Sequence, residues 1–255
     1  MRTARVCVSG TAGVVTASVP ASGEPLVVGG WTVPGARVRF EPACSGLVYG
    51  VVLNDAGALS ALGDALNQPP YKAPPKAPVL YVKPYNTHLG HGASVVLPGG
   101  ADRVHVFGAL GIVFGAQATR VPEAQALEPV HGFTVVADLS LRQQSLYRPP
   151  IREKCFDGAC PIGPWVVDRS TIGDPAKLEV LVYVNGELRQ RRALRNLIRP
   201  VPRLIADVTA FMTLYPGDVL LAGVPLEAPC ARAGDSIAVE IPGIGRLENR
   251  IEAGS

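Results

Sequence analysis

The run from Arg103 to Phe114 constrains this chain more than any other feature. It is almost wholly apolar, it contains Gly108 and Gly111, and Gly115 follows it. Glycines at that density weaken a helix. Within a strand they mark bulges or the close approach of another backbone. Comparable apolar runs cover Leu47 to Leu53, Val79 to Lys83, Ser94 to Leu97, Phe133 to Ala137, Leu178 to Val184, Leu214 to Ala222 and Ser236 to Ile241. Turn residues separate them, such as Asn185-Gly186 and Pro216-Gly217-Asp218, as strands and hairpins require. Residues 1 to 45 read the same way, with turns at Pro20, Gly23 and Gly29-Gly30.

Helical signals are few. Ala58 to Leu66 puts Leu59, Leu62 and Leu66 on one face. Pro202 to Met212 is amphipathic, with Leu204, Ile205, Val208 and Phe211 on the side expected to be buried. Pro122 and Glu123 suit a helix start. Gln68 to Pro78 is proline-rich and reads as an extended surface loop. The expected class is therefore α+β and β-dominated.

The 255 residues are enough for one large core. A net charge of +3 without a basic stripe argues against nucleic acid as a partner. The five cysteines, Cys7, Cys44, Cys155, Cys160 and Cys230, form no CxxC and no zinc-like spacing with histidine. They read as reduced thiols, and with no apolar stretch of membrane length the expectation is a cytoplasmic protein that binds no membrane.

Common catalytic signatures are missing: no GxSxG, no HExxH and no GxxxxGK[ST]. His88 and His91 share a glycine-containing loop, as a metal pair, a general base or a solvated pair. His105 lies in the apolar run, where a hydrogen-bonded core or sheet-edge role is expected. Two segments stand out. In residues 81 to 87, Lys83 ends a strand before Pro84, a placement that can aim an ammonium into a cleft. Residues 154 to 165 read as a long loop mixing Lys154, turn formers and Trp165. Chemistry alone thus stops at a cleft whose lysines suit a carboxylate-bearing ligand.

Several words then occur in one order: HGFTVVADLS at 131–140, CPIGPW at 160–165, NGELRQ at 185–190, PGDVLLAGVP at 216–225 and GDSIAVEIPGIG at 234–245. Together with residues 52–54, Lys83-Pro84 and Leu97-Pro98, they resemble the fumarylacetoacetate-hydrolase-like family over roughly residues 47 to 251. YKAPPK at 71–76 and YRPPI at 147–151, with Lys154-Cys155 and Asp157-Gly158, resemble the N-terminal half of the family's bifunctional decarboxylase/isomerases of 4-hydroxyphenylacetate breakdown.

The resemblance implies a mixed β-sandwich roll at 46–255 with a small N-terminal β-rich extension at 1–45, either a separate domain or a cover for a sheet edge. It implies a 2-oxo or 2-hydroxy dicarboxylate as substrate, and a homodimer or a hetero-oligomer with a metal-binding sister subunit. Members hold Mg²⁺ or Mn²⁺ with two glutamates and a downstream aspartate, to chelate a 2-oxo acid and stabilise its enolate. At the glutamate positions this chain has Phe107 and Ala109, leaving Asp138 as the one metal-ligand position kept. The lid residues 54–61 (NDAGALSA) lack the family's His–Glu pair. By the same resemblance Lys83 and Lys154 are the expected catalytic and substrate-binding groups, and Pro161, Gly163 and Gly223 line the substrate. Metal is expected to be weak or absent in this chain.

Overall fold

The structure is a computed structural model describing residues 1–21, 25–69, 71–143 and 148–254. Gly23, Pro70 and Tyr147, invoked above in a turn, a loop and a family word, lie outside the described residues.

Two sheets pack face to face. The larger runs, from one edge to the other, through Trp31–Val33, Leu26–Val28, Val15–Ser18, Arg2–Val8, Cys160–Asp168, Val130–Ser140, Val104–Phe114, Val219–Leu221, Val48–Val52 and Val79–Lys83. It is mixed, since Val219–Leu221 pairs parallel with Val48–Val52. The smaller sheet orders Glu187–Ala193, Glu179–Val184, Ser236–Ile241, Gly245–Glu252 and Ser94–Val96.

The strand Val104–Phe114 shows why its glycines are needed. Val106 and Leu110 alternate toward the smaller sheet and meet Val180, Val182 and Val239 in one core. Gly108 lies between them, and a Cβ there would stand 2.6 Å from Val180 Cγ1 and 2.9 Å from Val182 Cγ2. What approaches Gly108 is the side chains of the facing sheet rather than another backbone, and the strand's register shift lies at Val113/Phe114 rather than at Gly108 or Gly111. The opposite face of the strand carries His105, Phe107 and Ala109.

Residues 1 to 45 prolong the larger sheet rather than stand apart from it. Thr3 pairs with Val166 across Arg2–Val8 and Cys160–Asp168. Ala4, Val6, Val8, Ala17, Val19 and Leu26 form a small cluster of their own beside that junction.

Several expectations need correction. Residues 154–165 are not one loop: the helical turn Ile151–Lys154 closes at Lys154, and Cys160–Asp168 is an interior strand. Phe211 is 62% exposed, because the helix Val201–Thr209 ends before it and only Leu204, Ile205 and Val208 stay on the buried face. Pro122–Leu127 gives just a short 3-10 turn, Glu123–Gln125. Leu214–Ala222 contributes only the strand Val219–Leu221. The first helix, Ala56–Leu62, starts earlier than expected because Asp55 caps it through a bond from the Ala58 N–H.

Candidate functional site

The antiparallel register places Phe107 directly opposite Asp138. Both side chains leave the same face of the sheet, away from the smaller sheet. Tyr81 comes from the edge strand Val79–Lys83, which pairs Gly50 with Tyr81. Gly50 has no side chain because the tyrosine ring crosses it: a Cβ would lie 1.9 Å from Tyr81 Cζ. The phenol can therefore reach inward and donate to Asp138 Oδ2.

Lys83 does not face a cleft. It is wholly buried behind Asp138. Its Nζ donates to the carbonyls of Leu139 (2.7 Å), Lys154 (2.7 Å) and Ala159 (3.0 Å). The same Nζ stands 2.7 Å from Asp138 Oδ1, although that oxygen has no hydrogen bond of good geometry. Both facts follow if the three ammonium protons point at the three carbonyls, so that the contact with Oδ1 is purely ionic. The expectation of a cleft-facing Lys83 fails because turning the ammonium outward would take a charged donor from all three carbonyls in a dry interior, and only that of Ala159 is seen to accept a second bond, from the Leu139 N–H.

Lys154 is the cation that meets open space. Its Nζ lies 2.8 Å from Asp138 Oδ2, 4.6 Å from the Tyr81 ring centre and 5.1 Å from that of Phe107. At Phe107, where the resemblance led to the expectation of a carboxylate position, the chain presents an aromatic face, which attracts an ammonium. Burial pushes Asp138 up, but Lys154 and Lys83 outweigh it and hold the carboxyl at about 2. Burial lowers Lys154, Asp138 pulls it back up, and Lys83 lowers it again. Burial and Asp138 drive the Tyr81 phenol well up, so it remains a proton donor.

Tyr81, Phe107 and Lys154 of this cluster line a cavity of about 510 Å³, with Asp138 and Lys83 buried behind them. Its walls are mainly apolar, from Val52, Leu53, Leu62, Phe107, Val224 and Pro225, with Ser140, Arg142 and His105 among the polar groups. Leu53 takes a left-handed φ of 57° just before the buried Asn54, whose side-chain amide donates to the carbonyls of Arg199 and Ala222. That anchor sets where the helix Ala56–Leu62 begins and so fixes one wall.

A divalent cation does not fit these residues. Asp138 Oδ2 already accepts from Tyr81 and Lys154, and Oδ1 faces Lys83. Phe107 and Ala109 offer no oxygen, and no group of three His, Cys, Asp or Glu suited to a metal occurs among the described residues. A hard cation takes about six oxygen ligands, and Lys154 already brings its charge against the one carboxylate here.

The remaining expected residues fall elsewhere. Pro161 and Gly163 lie buried in the strand Cys160–Asp168 and are not among the cavity-lining residues. Gly223, with φ of 122°, packs on Asn54 and precedes the wall residues Val224 and Pro225. His88 and His91 do not converge on a metal or on the cavity. His88 Nε2 contacts the Lys83 carbonyl, and His91 Nδ1 accepts from the Glu248 N–H. His105, in its strand, is hydrogen-bonded as expected, but that it and Tyr81 line the cavity was not read from the sequence. The signal for Tyr81 was its place two residues before Lys83, which puts both on one face of a strand. All five cysteines are free. No helix among the described residues is long and apolar enough to cross a membrane.

Residues 47–252 match the fumarylacetoacetate (FAA) hydrolase C-terminal family. The chain is 35% identical over 240 residues to a 4-hydroxyphenylacetate degradation bifunctional isomerase/decarboxylase of Salmonella dublin, covering 93% of this chain and 54% of that protein. It spans about half the length of such relatives. The crystal structure of 5-carboxymethyl-2-hydroxymuconate delta-isomerase from Mycobacterium smegmatis matches all of both chains, with TM-score 0.84 and 32% identity. Fumarylpyruvate hydrolase from Pseudomonas aeruginosa, in complex with Mn²⁺ and pyruvate, matches 85% of this chain and 92% of its own, with TM-score 0.71 and 26% identity. A β-sandwich shared with isomerases, and a sequence match spanning most of both sheets, establish that this chain belongs to the fumarylacetoacetate hydrolase family.

Proposed function

We propose that this chain is a decarboxylase/isomerase subunit of 4-hydroxyphenylacetate catabolism, acting on 5-carboxymethyl-2-oxo-hex-3-ene-1,7-dioate and 2-hydroxyhepta-2,4-diene-1,7-dioate. The observation that carries the reading is the charge of the buried cluster. Lys83 and Lys154 bring two positive charges and Asp138 one negative charge, so one positive charge is left over at the floor of an apolar cavity. Uncompensated charge in such a place is costly. An anionic ligand neutralises it, and a 2-oxo acid offers both a carboxylate and an oxygen that becomes negative in the enolate. Lys154 then does what an oxyanion stabiliser must, holding fixed positive charge where negative charge develops. Arg142 on the cavity wall suits the distal carboxylate. Lys83 holds Asp138, and Asp138 holds Lys154. Gly223 shapes the wall through Val224 and Pro225, while Pro161 and Gly163 act from behind, in the strand that begins just after Ala159, whose carbonyl accepts from Lys83.

In this reading Mg²⁺ or Mn²⁺ binds weakly or not at all, and the protein is cytoplasmic. It pairs with itself or with a metal-binding sister subunit. A second reading, a non-catalytic member that scaffolds an active partner, is favoured by the same loss of oxygen ligands at Phe107 and Ala109. Turnover of 5-carboxymethyl-2-oxo-hex-3-ene-1,7-dioate separates the two. The first reading expects decarboxylation that K154M abolishes, whether by the chain alone in EDTA or together with a sister subunit. Turnover that appears only after a metal-loaded sister subunit is added, and that K154M leaves unchanged, selects the scaffold.

A further inference from the structure

Decarboxylation leaves a dienolate that must gain a proton and isomerisation moves a proton to carbon, and residues 54–61 lack the His–Glu pair expected there. Among the described residues lining the cavity, most titratable groups are committed. Lys154 and Tyr81 are bound to Asp138. Arg142 is a guanidinium, five donors with no acceptor to take a proton from carbon. Glu227 is exposed at the rim, and Tyr71 has contacts of its own. His105 remains. It leaves the same strand face as Phe107, two residues away, and lies opposite Ser140 in the register. The His105 and Phe107 rings are 6.3 Å apart, and the Lys154 ammonium sits over the Phe107 ring. His105 and Lys154 thus flank one aromatic ring on the cavity floor.

The environment of the imidazole also suits a proton carrier. Its Nδ1 lies 3.4 Å from the Ala228 carbonyl and 3.4 Å from Cys230 Sγ, and the same sulfur stands 3.9 Å from Nε2. An Nδ1–H donated to that carbonyl leaves the lone pair on Nε2. His105 also borders a second, larger cavity of about 1050 Å³, to which the exposed Cys230 belongs. The ring therefore stands between the ligand cavity and water, and a group that takes a proton from one side and exchanges it on the other needs that position.

We propose that His105 is the general acid/base of this site, moving the proton at C3 of a 2-oxo dicarboxylate while Lys154 faces the 2-oxo oxygen. The inference rests on the reading that the cavity binds such a ligand. Neutral imidazole takes the C3 proton through Nε2. The C–H electron pair becomes the C2–C3 double bond, and the carbonyl electrons move to oxygen as an enolate beside the ammonium. Return of a proton from the imidazolium to C3 regenerates the keto acid; in the 2-hydroxy-2,4-diene substrate, where C3 is already unsaturated, the imidazole takes the 2-hydroxyl proton instead and the imidazolium delivers it to C5, so that C2=O re-forms, the C2–C3 pair moves to C3–C4 and the 3-ene isomer results.

The test is deuterium uptake at C3 of 2-oxoadipate in D₂O with EDTA, followed by proton NMR, with binding of 2-oxoadipate measured separately by calorimetry. Wild type should exchange well above the protein-free rate. H105Q should bind the ligand as wild type does and lose exchange by on the order of 100-fold. H105A should regain part of it when free imidazole is added, which a merely structural histidine would not show. Exchange in H105Q equal to wild type overturns the proposal, as does bound ligand that wild type does not exchange. Loss of all binding by wild type instead overturns the ligand reading beneath it.

Discussion

Replacing Lys83 by methionine should be among the most destabilising single changes in this chain. The side chain is wholly buried and supplies donors to three carbonyls, at 2.7, 2.7 and 3.0 Å, besides its ionic contact with Asp138. Methionine fills much of the volume but offers no proton, so those carbonyls lose their ammonium donor and the cluster loses a buried charge. Asp138 keeps Lys154, so no charge is left unpaired; the cost comes from the Leu139 and Lys154 carbonyls left without a donor, about 1–3 kcal/mol each, and from the lost charged bond to Ala159, about 3–5 kcal/mol in all. At roughly 2–4 °C per kcal/mol for a domain of this size, that is a fall in Tm of about 6–20 °C. K154M should cost less, about 1–3 kcal/mol, because Asp138 keeps Lys83 and the lost ammonium faces the cavity. Urea denaturation read by fluorescence and circular dichroism measures both, with an unchanged m value confirming that only stability moved. A K83M loss under about 1 kcal/mol, or a larger loss in K154M than in K83M, would refute the assignment of Lys83 as the buried anchor.

Asp138 contributes to the acid limb of stability. Its carboxyl is held at about 2 in the folded protein, against about 3.9 when unfolded. Its stabilisation is therefore complete above roughly pH 4 and is lost as pH falls through about 2, a difference of about 2–3 kcal/mol. D138N should flatten that limb in unfolding free energies measured between these values, and a limb as steep as wild type would place the titrating group elsewhere. G108A should destabilise by about 1–3 kcal/mol, since the new methyl would press on Val180, Val182 and Val239; a thermal melt like that of wild type would mean the sheets can separate to admit it. Restoring both carboxylates in F107E/A109E should raise Mn²⁺ affinity above that of wild type by calorimetry, and unchanged affinity would show that Lys154 does not yield the position.

Much of the fold was legible because apolar runs and turn chemistry agreed. Val79–Lys83 and Ser236–Ile241 have the expected bounds, and Asn185-Gly186 turns with both residues at positive φ. Cys160–Asp168 was missed because Pro161, Gly163 and Pro164 are turn residues in most settings, yet here they lie in a strand flanked on both sides. Phe211 misled because helical spacing continues past Thr209 in the sequence though the helix does not. Lys83 misled for a different reason. Val79 and Val82 are exposed while Tyr81 and Lys83 point inward, so the hydrophobic pattern of that strand runs against its burial. Only the carbonyls of Leu139, Lys154 and Ala159, distant in sequence, explain the inversion. The site was half legible: the substitutions at Phe107 and Ala109 could be read, but not that an ammonium would lie over the Phe107 ring.

The central claim is that Lys154, set over Phe107 and held by Asp138, supplies the positive charge for an anionic ligand. Calorimetric titration of 2-oxoadipate into wild type and K154M, both in EDTA, tests it most directly. The account predicts binding by wild type and a loss of about 10- to 100-fold in K154M, the worth of one charged hydrogen bond. Binding by wild type only when Mn²⁺ is added, or equal affinity in K154M, would contradict it.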